Sequence, residues 1–228
     1  KMTTLLKLDI KKGNGVLFDS RNNLIKKFYF QNSKSNNKKL INEFCGYKWY
    51  LRRLYKKKLN KKKLDIQKKS NTLILPVFKG QHFNFWDNTI YSTGLVDKVI
   101  NHYNLLWPRE KYVPFHGDLT IENIIFQKQN DIVFIDWENY KSKEEWGLDI
   151  CYFLISLIVL PVLSFKKESI RQSELNLFTS YWKKTFEKKK YGYLKDPIQF
   201  IKKKCIHKGH FFFKITKKIA MQINQSIL

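Results

Sequence analysis

Along the first third of the chain apolar residues recur at every second position, and over most of the remainder at every third or fourth. Thr3 to Ile10 alternates loosely, Val16-Leu17-Phe18 resumes the pattern after Lys11-Lys12-Gly13-Asn14-Gly15, and Leu24 to Phe30 follows a second polar turn at Asp19 to Asn23. Two glycines free to take positive φ suit the first turn, so three antiparallel strands are expected. In the third, Leu24, Lys26, Phe28 and Phe30 share one face and Ile25, Lys27 and Tyr29 the other. A lysine among three apolar neighbours needs an anion to offset its desolvation. On that pattern Lys26 is the residue of interest and Lys27 the one that reaches solvent, the plain alternative being an edge lysine that blunts aggregation.

After the polar stretch from Gln31 to Lys38, the run Leu40 to Tyr55 is helical in period, with Phe44, Tyr47, Leu51 and Leu54 on one stripe. Glu43 falls at the edge of that stripe, within reach of a strand lysine; alternatively it is an exposed first-turn acid favoured by the helix dipole. Leu73 to Phe78 and His82 to Trp86 read as two more short strands. Gly94 to Trp107 is helical and Pro108 ends it. Helical spacing returns at Ile150 to Leu160, Ser169 to Phe186, Pro197 to Cys205 and Phe211 to Ile227. A sheet-rich part with one helix (residues 1–88) and a helix-rich part (residues 89–228) predict an α+β protein of two lobes.

Composition changes this picture little. An apolar fraction of 43% and an aromatic fraction of 16% put the chain among folded proteins. The net charge of +25 invites a nucleic-acid or anionic-membrane reading, but of the 44 basic residues only five are arginine. Arginine is the residue of bidentate phosphate recognition. A lysine excess accompanied by abundant Asn, Ile and Phe reads instead as a bias toward A/T-rich codons, and the lysine-rich Lys56 to Lys69 as a solvated helix end and loop. Nucleic acid is therefore not expected as a partner, whereas peripheral contact with an anionic membrane or glycolipid stays open. Cys45, Cys151 and Cys205 are odd in number and far apart, which argues against a disulfide framework or zinc site and suits a reducing, cytoplasmic compartment. Residues 1 to 10 lack the apolar core of a signal peptide. Ile150 to Phe165 is uncharged but falls short of the roughly 20 residues that cross a bilayer and contains Pro161, so a buried helix is expected.

The chemistry concentrates in His116-Gly117-Asp118-Leu119-Thr120-Ile121-Glu122-Asn123-Ile124-Ile125-Phe126 and in Phe134-Ile135-Asp136-Trp137-Glu138. An acid, an amide five positions on and a second acid at the end of the next apolar strand can hold a hard cation beside a phosphate. Were these isolated loop residues, turn and strand-end roles would suffice.

The stretches HGDLTIENIIF, IVFIDWENY and GLDICYFL closely resemble the aminoglycoside phosphotransferase and choline kinase branch of the protein-kinase-like fold, the N-terminal part matching in layout only. The resemblance implies ATP and Mg2+, with Asp118 as the catalytic base or hydroxyl-orienting group and Asn123 and Asp136 as magnesium ligands. It also implies that Lys26 touches the nucleotide phosphates and pairs with Glu43, Lys27 taking that role if the register is shifted by one. The Gly13-Asn14-Gly15 turn would cover the phosphates, although it is not a G-x-G-x-x-G loop. His116 and Trp137 are expected to be structural, and Asp149 to brace the catalytic loop by accepting backbone hydrogen bonds.

The expected activity is transfer of the γ-phosphate to a hydroxyl of a sugar, amino alcohol or glycan precursor. For a choline-like acceptor, Trp146, Tyr152, Tyr181 and Trp182 offer aromatics for an ammonium cage. The segment from Trp86 to His116 is shorter than the one many antibiotic kinases place there, and no acidic cluster lies outside the motifs. Both points argue against a drug-resistance role. The rival reading is a kinase-like binding protein whose basic face engages nucleic acid or a membrane.

Overall fold

The computed structural model describes residues 3–10, 13–31, 33–57, 59, 66–86, 94–127, 131–186, 191–204 and 210–227. Lys11 and Lys12 of the expected glycine turn, half of the lysine-rich segment, Cys205 and the expected lobe boundary at 88 lie outside these residues.

The alternating N-terminal pattern produces β1 (Thr3–Asp9), β2 (Asn14–Asp19) and β3 (Leu24–Tyr29), joined by β5 (Thr72–Pro76) and β4 (Gln67–Lys69) in an antiparallel sheet of order β1-β2-β3-β5-β4. Gly15 is paired with Phe28, and a Cβ at 15 would lie 2.4 Å from the Phe28 ring, so the crossing requires glycine. The inward face carries Ile25, Lys27 and Tyr29. Across from Ile25 and Lys27 stand Leu75 and Leu73 of β5, and Tyr29, Leu73 and Leu75 are all buried. The face carrying Lys26 and Phe28 is the open one, and Leu5, Leu8 and Phe30 remain about half exposed.

One helix, α1 (Lys34–Lys56), packs on this sheet. It begins before the expected Leu40, because the Ser33 hydroxyl caps it by accepting from the Asn36 N–H at 3.1 Å and so draws the polar stretch into the helix. Glu43, Tyr47, Tyr50 and Leu54 form a buried stripe at helical spacing. Gly46 lets this helix approach the second lobe: a Cβ there would lie 2.7 Å from the Trp137 Cβ.

The second lobe begins with α2 (Leu95–Leu106) and β7 (Tyr112–Phe115). A single 3-10 turn (Ile121–Asn123) leads into the hairpin β8 (Ile124–Phe126) and β9 (Ile132–Phe134). Here β6 (Gln81–His82), expected as a longer strand to Trp86, pairs with β8 instead of extending the first sheet. β10 (Lys141–Glu145), which apolar periodicity does not announce, pairs with β7.

Then follow α3 (Leu148–Ser164), α4 (Gln172–Phe186), α5 (Pro197–Lys204) and α6 (Lys217–Ile227), the last preceded by a 3-10 turn at Phe211–Lys214 that divides the expected single C-terminal helix. α3 is buried continuously from Leu148 to Val159, which is why its sequence is apolar on every side. Among the described residues no helix is long and apolar enough to cross a membrane. Trp107, Trp137, Tyr50 and Phe134 stack where α1 meets the second lobe, with Tyr50 and Phe134 nearly parallel at 5.7 Å. The architecture is a two-lobed α+β fold, as expected, and the lobes meet along the line that carries the motif residues Asp118, Asn123 and Asp136.

Candidate active site

Lys27 stands at the centre of the cleft between the lobes. Its ammonium lies 2.9 Å from Glu43 of α1, 3.0 Å from Asp136 and 2.6 Å from Glu138. Lys26, on the open face of the sheet, instead pairs with Asp19 at 2.9 Å. The expected Lys26–Glu43 pair is thus corrected to Lys27–Glu43. Counting apolar residues on one strand chose the wrong face, because burial of the inner face is decided by Leu73 and Leu75 on another strand and by α1 above them.

Burial works against the Lys27 charge, but Glu43, Asp136 and Glu138 outweigh it and hold its pKa well above the ordinary lysine range. The same burial pushes Glu43 up to about 7 against the pull of Lys27. Tyr29 donates to Glu138 at 3.1 Å, and the Tyr47 hydroxyl accepts from the Asp136 N–H at 3.1 Å. Asp136 takes a left-handed conformation, φ 64°, unusual for a residue with a Cβ. Its carboxylate is thereby turned from the end of β9 into the cleft, where 43% of the side chain is exposed.

Asn123 ends the 3-10 turn opposite. Its amide nitrogen donates to the Asp118 carbonyl at 2.8 Å, so the amide oxygen is the atom placed to ligate a metal, and its own carbonyl accepts from the Ile135 N–H at 2.9 Å. Asn123 and Asp136 border one cleft of about 400 Å³ whose apolar walls include Val16, Ile25, Val77 and Ile125. Glu43, Asp136 and Glu138 also bring carboxylate oxygens within 4.8 Å of one another. The Lys27 ammonium sits among these three, and the Asp136 carboxylate with the Asn123 amide oxygen is the all-oxygen donor pair that fits magnesium.

Asp118 lies at the junction with a second, larger cavity of about 960 Å³ between α1 and residues 138–142. Its Oδ1 accepts a 2.5 Å hydrogen bond from the Tyr152 hydroxyl and lies 3.6 Å from His210 Nε2. Burial raises the Asp118 pKa, but the neighbouring His210 and the Tyr152 hydrogen bond outweigh it and the carboxyl is held below its ordinary value. Such a group is ionised at neutral pH, suited to orienting a hydroxyl.

The loop around Asp118 is held from beneath. Asp149 accepts from the His116 N–H at 3.0 and 3.1 Å and from the Gly117 N–H at 3.1 Å. His116 is fully buried; Nδ1 accepts from the Asp118 N–H and Nε2 donates to the Ile135 carbonyl at 2.8 Å, so the ring is a neutral strut. Gly117 has φ 86°, and a Cβ there would meet the Asn139 carbonyl at 2.5 Å. Trp137 is buried as core.

Burial lifts the Asp149 carboxyl to about 7, against the two N–H donors that favour its charge. An acid whose folded pKa exceeds its unfolded value binds its proton more tightly when folded, so its contribution to stability is greatest at low pH. That contribution is lost between about pH 4 and 7 at up to about 1.4 kcal/mol per unit. The unfolding free energy of the wild type relative to Asp149→Asn is therefore expected to decline from pH 5 to 7.5 in urea titrations. A difference that stays flat would place the carboxyl in one charge state throughout.

Sequence reasoning brought Glu43, Asp118, Asn123 and Asp136 to this line but left out three neighbours. Glu138 stood two residues after Asp136, and Tyr152 one helical turn after Asp149. His210 is 92 positions from Asp118 and carries no spacing signal. The aromatics considered for an ammonium cage do not assemble. Trp146 packs on Tyr103 and Tyr191, Trp182 on Phe178 and Phe186, and only Tyr152 reaches the loop.

Fold and site together define a two-lobed α+β architecture with a lysine and three carboxylates in the cleft between the lobes. Residues 61–142 match the model of the phosphotransferase enzyme family, and that span contains the whole His116 to Phe126 stretch and the Ile135-Asp136-Trp137-Glu138 motif. The family resemblance read from those motifs is thus supported where they lie. The chain is also similar to a solved ethanolamine kinase from Plasmodium vivax, at 13% identity over 99% of this chain and 82% of that one, with a TM-score of 0.46. The Rio2 kinase from Chaetomium thermophilum, solved as an ADP/Mg2+-phosphoaspartate complex, is similar at 14% identity over 98% and 70%, with a TM-score of 0.42. No curated protein sequence matches the chain.

Proposed function

We propose that this protein is an ATP- and magnesium-dependent small-molecule kinase that transfers the γ-phosphate to a hydroxyl of a sugar or related glycan precursor. The observation that carries the reading is Lys27, joined to Glu43 and Asp136 in the cleft that Asn123 also borders, with Asp118 at the mouth of the adjoining cavity. In this reading the apolar cleft takes the base and Lys27 meets the phosphates. Asp136 and Asn123 would hold magnesium, which would neutralise phosphate charge when bound. Asp118 orients the acceptor: the acceptor's hydroxyl oxygen forms a bond to the γ-phosphorus, the bond from that phosphorus to the bridging oxygen of ADP breaks, ADP leaves, and the hydroxyl proton passes to Asp118.

A polyol is favoured over a quaternary ammonium for two reasons. The larger cavity is bordered by Ser35, Asn42, Asn139 and Ser142, which hydrogen-bond hydroxyls, and its three lysines, Lys38, Lys39 and Lys141, balance its three acids, Asp118, Asp136 and Glu138, so its lining offers no net negative charge to draw a cation. The aromatics that would cage an ammonium do not converge: Trp146 and Trp182 are buried in separate ring clusters, and only Tyr152 reaches the site.

Mg-ATP is expected to raise the melting temperature, by an amount equivalent to about 2.7 kcal/mol at a hundred times its dissociation constant. The absence of both a thermal shift with any Mg-nucleoside triphosphate and γ-phosphate loss across a panel of hydroxylated acceptors would refute the assignment.

A further inference from the structure

Beyond the motif residues, the structure carries a directed hydrogen-bond chain that ends on Asp118. His210 Nδ1 accepts from the Phe212 N–H at 3.4 Å, so its proton is on Nε2. Nε2 lies 2.6 Å from the Tyr152 hydroxyl, and that hydroxyl lies 2.5 Å from Asp118 Oδ1. With Nε2–H donating to Tyr152, the single hydroxyl proton of Tyr152 is directed to Asp118. Each member comes from a different part of the fold: the catalytic loop, α3 and the turn before α6. All three are at least partly shielded from water, with side-chain exposures of 28% for Asp118 and 12% for His210, and Tyr152 is buried.

We propose that Tyr152 and His210 are positioning residues for phosphoryl transfer. They engage Oδ1 of Asp118, fix the rotation of its carboxylate and leave Oδ2 to orient the acceptor hydroxyl. The proposal rests on the kinase reading and deepens it. Fixing one oxygen matters because a hydroxyl-orienting carboxylate that rotates loses the aligned geometry on which the step depends, and misplacement by an ångström costs about a hundredfold. His210 also borders the larger cavity, so the C-terminal part of the chain reaches the place where the acceptor would sit.

The test compares wild type, Tyr152→Phe, His210→Ala and the double variant. Tyr152→Phe keeps the ring and removes only the hydroxyl. It is expected to lower kcat by about a hundredfold while leaving the nucleotide KM and the Mg-ATP thermal shift near wild type. Because His210 acts through Tyr152, the double variant should match Tyr152→Phe and not multiply the two losses. Imidazole nitrogen NMR reads the chain without turnover: Nε2 of His210 should carry the proton in the wild type and change its environment in Tyr152→Phe. An active wild type whose Tyr152→Phe variant keeps kcat within about twofold overturns the proposal, as do multiplicative losses in the double variant. Parallel loss of kcat, nucleotide affinity and melting temperature would reduce Tyr152 to a packing role and overturn it too. A wild type with neither turnover nor a nucleotide shift refutes the kinase reading itself, and the proposal with it.

Discussion

Asp136→Ala is expected to abolish phosphoryl transfer, by about a thousandfold or more in kcat, while the chain still folds. The reason is local. Asp136 is the one carboxylate of the three around Lys27 that faces well into the cleft, through a left-handed backbone that presents it at the end of β9. Without it the magnesium that Asn123 would share loses its principal oxygen ligand, and Lys27 loses one of three counter-charges. The fold should tolerate the change because Glu43 and Glu138 still neutralise the ammonium. Asp118→Ala makes the informative comparison. It removes the hydroxyl-orienting group but no metal ligand, so its Mg-ATP thermal shift should persist whereas that of Asp136→Ala should shrink. Steady-state turnover and thermal shift on both variants check this. Wild-type turnover in either variant would remove that residue from the chemistry.

How far the site could be read from sequence depends on the distance over which each residue's position is determined. Asp118 and Asn123 belong to one loop and turn, and Asp136 follows the next strand, so their spacing alone placed them together. Glu43 was legible because four residues make about one turn, which put it on the stripe of Tyr47 and Tyr50. Lys26 and Lys27 were harder. Alternation separates their faces correctly, yet which face is inside depends on β5 and on a helix packed across the sheet, and the exposed face happens to keep Leu24, Phe28 and Phe30. His210 was out of reach altogether, since only the packing of the C-terminal turns against α3 brings it to Asp118. The boundary of α1 erred for a different reason: a serine cap can recruit a polar stretch into a helix without any apolar periodicity.

The placement of the two lysines yields a contrast that a shifted register could not survive. Lys27→Ala is expected to lower kcat/KM by about a hundredfold, and Lys26→Ala to leave it within about threefold. The Lys26 pair with Asp19 is on the open face and partly exposed, so solvent replaces it at little cost. Lys27 is different: its side chain is 13% exposed and that of Glu43 only 2%. Removing one partner from a buried ion pair leaves an uncompensated charge and costs about 3–5 kcal/mol, so Lys27→Ala should also lower the melting temperature. Stability and chemistry can then be separated by neutralising the pair together. Lys27→Met with Glu43→Gln removes both charges, keeps the volume and should recover much of the lost stability, because a buried pair is worth little over apolar replacements. Its turnover should stay low, since the phosphates still lack their cation. Recovery of turnover along with stability would mean that Lys27 serves only the fold, and the phosphate contact would have to be sought elsewhere in the cleft.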